Sequence, residues 1–313
     1  MSAGTIGIVV PVYNEQDALE ELVREIDTVA DTHQYDLRVL FVDDGSRDAS
    51  WNRIVALARA NPRIGGLRFF RNSGKAAALM AGFSAIDADY IFMMDADLQD
   101  PPVEIPRFLD KMAEGYDVVS GWKQRRHDPW HKVYPSRVFN WMIGALTGVE
   151  LHDHVCGFKC FRRDAAKSLR IDGELHRFLG VLSAAKGYRV TEIPTLHRAR
   201  TTGVSKYGLS RFAKGFLDLL TIWVLTGFRC RPQHAIGGAG LVVIALALLS
   251  WIPRLHWLLW PLPGVAAGLV LIGLGVVSAQ LAAAGPMDEL YRVIDSTGWC
   301  SVKAGKSELR SEN

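Results

Sequence analysis

Cysteine is scarce in this chain of 313 residues and never paired: Cys156, Cys160, Cys230 and Cys300 form no CxxC motif. Zinc ribbons and disulfide scaffolds are thereby excluded, and the thiols are expected to stay reduced. A secretory signal is missing too. The N-terminus runs within a few residues into IGIVVPVYNE, without a basic n-region or a small-residue cleavage site, so the body is expected to remain in the cytoplasm. Charge disappears altogether over two stretches, the 18 residues Ala235–Ile252 and, after Pro253 and Arg254, the run from Leu255 past Leu281. Each approaches the ~20 apolar residues that cross a bilayer as a helix, and so short a link predicts a hairpin. Lys214, Arg229 and Arg231 precede it, whereas Arg254 alone lies in the link, a bias that again places the body in the cytoplasm.

The formal net charge of +3 conceals an asymmetry, because Ser120 to Gly215 carries 18 Lys and Arg against 7 Asp and Glu. Such an excess favours anionic ligands. No nucleic-acid-binding motif accompanies it, so nucleic acid is not an expected partner.

Thr5 to Val12 and Leu37 to Val42 are short β-branched apolar runs, each followed by a polar turn and a helical pattern beginning near Glu15 or Ala49. Ile64 to Phe70 precedes a helix around Ala76 to Ile86, and a fourth run, Tyr90 to Met94, ends in DADLQD. This βαβα alternation predicts an α/β fold with a parallel sheet, and ligands of such sheets bind beyond the carboxyl ends of the strands. Segment Ser210 to Phe228 spaces Phe212, Phe216, Leu219, Leu220 and Trp223 helically beside Arg211 and Lys214, as an interfacial helix would; a core helix has the same pattern.

Chemistry is therefore sought in the turns. Asp95 and Asp97 stand at i and i+2 after the fourth strand, where both can approach one hard cation, with Gln99 as a third oxygen and a nucleotide diphosphate bridged by the metal. In VDDGS, Asp43 and Asp44 can accept from a nucleobase or ribose, and Gly45 permits the tight turn. PVYNE, Pro11 to Glu15, ends the first strand. Singly, each is an ordinary capped turn; together they converge on one sheet edge. RNSGKAAAL lacks the full GxxxxGK[ST] spacing of a phosphate loop, which leaves a helix start with Lys75 as a phosphate contact. His152, His154 and Cys156 lack the partner set of a transition-metal site.

In this order, PVYNE, VDDGS, RNSGKAAAL and DADLQDPP resemble the inverting family-two glycosyltransferases with a GT-A fold. GWKQRR, SRVFN, DHVCGFKCFRR, GELHRF and HRARTTGVSKYG resemble one branch, the polyprenyl-phosphate glycosyltransferases, which includes dolichyl-phosphate mannose synthases and bacterial enzymes that load glucose or related sugars onto undecaprenyl phosphate. The resemblance spans about residues 6–232. It implies a Rossmann-like, mostly parallel catalytic domain over 1–209, juxtamembrane helices over 210–232, two transmembrane helices over 233–284 and a cytoplasmic tail over 285–313.

As donor-nucleotide contacts it implies Pro11, Tyr13, Glu15, Asp43, Lys75 and Asp95, and as the site of a divalent cation, Mg2+ or Mn2+, Asp95, Asp97 and Gln99. Asp153 becomes the catalytic aspartate, with Asp97 and Arg125 beside it, while Arg125, Arg137, Arg198, Arg200, Ser205 and Lys206 surround the acceptor phosphate and donor diphosphate. Guanidinium forks and a lysine suit such oxygens. The implied partners are a nucleotide sugar, UDP-glucose first and GDP-mannose next, a polyprenyl phosphate acceptor and the bilayer of the inner membrane; a homo-oligomer built through the hairpin is compatible with this. A processive polysaccharide synthase would carry QxxRW and more spans, and Gln124, Arg125, Arg126 and Trp130 do not meet that spacing. A non-catalytic scaffold would lack an acidic ligand, yet Asp95, Asp97 and Asp153 are all present. Fold alone does not name the sugar.

Overall fold

The computed structural model describes residues 4–124, 130–171, 173–198, 219, 221–222, 265–267, 269–270, 273–274, 277 and 293–300, with the side chains of 130–137 left out. Two compact units are present. One comprises Met1–Trp141, Glu150–Ser205 and Met287–Asn313; the other comprises Met142–Val149 and Lys206–Pro286.

The first unit is built on β1 (Ile6–Val12), β2 (Leu37–Asp43), β3 (Ile64–Phe69), β4 (Tyr90–Met93), β5 (Val118–Lys123), β6 (Lys159–Arg162), β7 (Val190–Thr195) and β8 (Val293–Gly298). They form one sheet in the order β7-β5-β6-β4-β1-β2-β3-β8. Pairs β1–β2, β1–β4, β2–β3 and β5–β7 are parallel, whereas β6 runs antiparallel to both β4 and β5, and β8 antiparallel to β3. The predicted mostly parallel α/β sheet is thus present. Strands β1 and β2 are almost uniformly apolar because helices cover both faces.

Helices α1 (Leu19–His33), α2 (Ser50–Ala60) and α4 (Ile105–Ala113) lie on one face and α3 (Lys75–Ala85), α6 (Arg163–Ser168) and α7 (Leu179–Ala185) on the other; α5 (Trp130–Thr147) continues from the first unit into the second. α1 buries Leu22, Val23, Ile26 and Ala30 as one stripe. α3 is buried nearly all round, and a Cβ on its Gly82 would meet Val9 Cγ1 at 2.2 Å, so glycine sets how closely the helix approaches β1. From β1 the chain moves outward through β2 and β3, then returns to the other side of β1 as β4. This reversal is the switch point at which such sheets bind ligands.

Two differences from the sequence reading stand out. The helical pattern near Glu15 becomes helix only at Leu19, because the preceding residues form a turn tied to the β2–α2 loop. Within the segment set apart as a tail, residues 293–298 form β8 on the edge of the catalytic sheet. Cys156, Cys160 and Cys300 are free thiols, all buried. Among the described residues no helix is long and apolar enough to cross a membrane. The predicted hairpin and juxtamembrane helices lie outside the described residues except at scattered positions; those between 265 and 277 are helical and expose Val265, Leu269, Val270, Leu274 and Val277.

Candidate active site

The loops after β1 and β2 are stitched together. Asn14 N–H donates to Ser46 Oγ at 3.0 Å, Glu15 N–H to Ser50 Oγ at 3.0 Å, and Arg47 N–H to Asn14 Oδ1 at 2.9 Å. Tyr13 lies on the outside of this seam, 37% exposed, and Pro11 just beneath it. Asp43 ends β2 fully buried: its Oδ1 accepts from Ser46 N–H at 3.0 Å, and its Oδ2 lies 3.3 Å from Arg68 Nε without a hydrogen bond. Burial pushes the Asp43 carboxyl above its usual range, against the opposing influence of Ser46 and Arg68.

Asp44 has a different task from the nucleotide contact the sequence suggested. Its two oxygens accept from Ser73 N–H at 2.6 Å and Gly74 N–H at 2.9 Å, tying down the RNSGK loop. Gly45, at φ +70°, turns the chain here, where a Cβ would meet the backbone of Arg71 at 2.6 Å. The tether delivers Lys75, first residue of α3, onto Asp95, with which its ammonium pairs. Burial would raise the Asp95 carboxyl, but Lys75 and then Lys123 outweigh it and hold the group below its ordinary value.

Leu98 adopts a φ of +62°, which curls DADLQD so that Gln99 N–H reaches Asp97 Oδ1 at 3.2 Å. Asp100 points inward to an ion pair with Lys123 at 3.2 Å. Against the cost of its burial, Asp100 keeps Lys123 protonated well above the usual lysine value. Neither residue was assigned from sequence; the signal was a third acid in the DADLQD turn.

Asp153 is 1% exposed, in a loop held from several sides. The Glu192 carboxylate receives His152 N–H at 2.8 Å and Asp153 N–H at 3.3 Å; Val155 N–H donates to Asp153 Oδ1 at 3.2 Å. Beneath, fully buried Lys159 donates to Ser120 Oγ at 2.7 Å and to the His154 carbonyl at 3.2 Å. Four residues on, a Cβ on Gly157 would sit 2.6 Å from Asp95 Oδ2. The missing side chain at Gly157 therefore brings the Asp153 loop against the DADLQD turn. His176, from the GELHRF segment, is driven to a pKa of about 4 by burial and then by Lys75, so it is neutral beside the Lys75–Asp95 pair.

Pro11, Tyr13, Glu15, Asp43, Lys75, Asp95, Asp97, Gln99 and Asp153 are thus arranged along the carboxyl edge of the central strands or in the loop packed on it. Arg198 is different. Its N–H donates to the Gln99 carbonyl at 3.0 Å, which places it beside the turn, but its guanidinium pairs with Glu25 of α1 at 2.5 Å rather than standing ready for phosphate. Arg125, Arg200, Ser205 and Lys206, and the side chain of Arg137, lie outside the described residues.

A doubly wound sheet with carboxylates and a lysine gathered at its switch point has the layout in which such sheets bind nucleotides. The chain belongs to the Glycosyl transferase family 2, which it matches over residues 7–170, just over half its length. It is a glycosyltransferase with a GT-A fold that takes sugar from a nucleotide sugar. The fold is shared with glucosyl-3-phosphoglycerate synthase from Mycobacterium tuberculosis in complex with phosphoglyceric acid, at 19% identity and a TM-score of 0.54 over 70% of this chain and 80% of that one. The same enzyme bound to Mn2+, UDP-glucose and phosphoglyceric acid matches at 20% identity and a TM-score of 0.53, with the same coverage.

Proposed function

We propose that this chain is a membrane-anchored, inverting polyprenyl-phosphate glycosyltransferase, moving a hexose, glucose first and mannose next, from its nucleotide onto undecaprenyl phosphate at the cytoplasmic face of the inner membrane. The observation that carries the proposal is the packing of the Asp153 loop, through Gly157, onto the DADLQD turn. It brings the loop that carries the implied acceptor acid against the turn that carries the implied diphosphate site.

The donor end has the chemistry for a divalent cation, Mg2+ or Mn2+. Asp95, Asp97 and Gln99 would hold it, and among the described residues no three His, Cys, Asp or Glu side chains group into an all-protein metal cage. A hard cation bound by one or two carboxylates and shared with substrate phosphates needs no such cage. When bound, the cation supplies positive charge to the departing diphosphate. Lys75 adds a second positive charge, and Asp43, buried at the end of β2 beside Arg68, is the implied nucleotide contact. A phosphate monoester is already anionic at neutral pH, so Asp153 has little proton to remove; it orients the acceptor or a neighbouring basic group.

Two features support the lipid acceptor. The described positions between 265 and 277 are helical with large aliphatic side chains outward, as a bilayer-facing helix requires. Because β8 pairs with β3, the chain on either side of 206–286 belongs to the same compact unit, so any bilayer crossing in between must be made an even number of times. The test is transfer of labelled sugar from UDP-glucose, GDP-mannose and other UDP-sugars to undecaprenyl phosphate or 3-phosphoglycerate. The proposal expects a lipid-linked monosaccharide. Label on 3-phosphoglycerate alone would overturn the acceptor, and a polymer would make the chain a processive synthase.

A further inference from the structure

β3 contains Gly65 and Gly66 in succession, an unfavourable choice inside a strand unless something must approach closely. The C-terminal segment accounts for Gly65 and, together with Ile54 of α2, for Gly66. A Cβ on Gly65 would meet Trp299 Cε2 at 2.9 Å and Cys300 Cβ at 3.0 Å; one on Gly66 would meet Ile54 Cγ2 at 2.6 Å and Thr297 Cγ2 at 2.9 Å. Trp299 fastens the end of the strand, donating from Nε1 to the Arg63 carbonyl at 2.8 Å beneath the Arg38 guanidinium. Gly298, at φ +70°, makes the turn into it.

This docking reaches the donor site. Asp295 stands opposite Arg68 in the β3–β8 register, just before the register shifts. Its Oδ2 accepts from Trp51 Nε1 at 3.1 Å, the Arg68 guanidinium lies over the Trp51 ring at 5.8 Å, and Arg68 Nε lies 3.3 Å from Asp43 Oδ2. We propose that Asp295 of the C-terminal strand is a positioning residue for the donor pocket: through Trp51 it holds Arg68 against Asp43, so that Asp43 meets the nucleotide as a correctly placed carboxylate. The relay rests on the assignment of Asp43 to the donor made above.

Physically, Arg68 is, among the described residues, the one cation ion-paired with a buried carboxylate that also has Asp44 and Asp48 nearby, and a guanidinium that swings away leaves that carboxylate both misplaced and more readily protonated. The indole restrains this swing through its cation–π contact with the guanidinium. Asp295 in turn fixes the indole, and its own carboxylate faces the Arg68 strand position.

The experiment uses the full-length enzyme in detergent and measures the Kd for UDP and GDP with Mn2+, the donor KM and kcat, and the melting temperature. Asp295→Ala is expected to raise donor KM and nucleotide Kd about three- to tenfold, the scale of one hydrogen bond, with kcat within about twofold of wild type. Asp295→Asn, which keeps an acceptor for Trp51, restores binding, and Trp51→Phe copies the alanine variant. Arg68→Met weakens binding at least as much, and adding Asp295→Ala to it changes nothing further, because both act on one path. The acid limb of nucleotide binding also moves to higher pH in Asp295→Ala. If Asp295→Ala lowers the melting temperature but leaves donor KM unchanged, while Asp43→Ala raises it, β8 is structural only and the relay is overturned. If Asp43→Ala itself leaves donor KM unchanged, the donor assignment fails, and the relay with it.

Discussion

Asp43 and Asp44 are adjacent in sequence and burial raises the pKa of both, yet they act differently. Asp44 is engaged by the N–H groups of Ser73 and Gly74, so Asp44→Ala is expected to loosen the loop and lower stability by about 1–2 kcal/mol, the scale of stranding part-buried donors. Chemical denaturation measures this. It should also displace Lys75 from Asp95 and reduce kcat. The resemblance singled out Asp43, but the local residues alone did not separate the two aspartates, since nothing local says which carboxylate finds N–H groups some thirty residues downstream. His154 was likewise illegible: it is 1% exposed, neither ring nitrogen has a hydrogen bond among the described residues, and burial, with Lys159 next, drives it to a pKa of about 4. A histidine whose folded pKa is depressed from 6.5 contributes stability that is present above 6.5 and lost as pH falls toward 4, here about 3 kcal/mol by linkage. Denaturant melts from pH 7 to 4 should show that loss in the wild type and a flatter profile in His154→Gln.

The first four strands were readable to within a residue or so, because buried parallel strands are continuous apolar runs and their turns are polar. β8 was not. VIDSTG is half exposed and mixed in polarity, and its partner lies more than 220 residues earlier. The legible trace was on the partner, in the paired glycines of β3. Gly66→Val is accordingly expected to cost about 1–3 kcal/mol by overpacking against Ile54 and Thr297. It should also speed proteolytic cleavage around residues 287–300 in the folded protein; unchanged cleavage would mean that the strand is not held by this fit. The 153–157 loop belongs to the same scale: its motif was visible, but its contact with Asp95 depends on an absent side chain at Gly157. Gly157→Ala should lower kcat without a comparable loss of melting temperature.

The whole molecule joins a GT-A catalytic unit to a second unit that contains both long uncharged stretches. The reading of a hairpin predicts that the protein stays with membranes after an alkaline carbonate wash, and that residues before 206 and after 287 are digested together when the cytoplasmic face is exposed to protease. Composition made the apolar stretches plain, while the arrangement of the donor edge required the sheet order, since β1 and β4 are neighbours only in space. The most direct measurement for the whole account is mass-spectrometric detection of sugar-linked undecaprenyl phosphate made by the purified enzyme, with and without Mg2+ or Mn2+, for the wild type and Asp97→Ala. The account predicts a lipid product that requires the cation and falls by at least about 100-fold in the variant, as loss of a group stabilising the departing charge does. A product made equally well without metal or by Asp97→Ala would contradict it, as would no lipid product from folded wild-type protein with any donor.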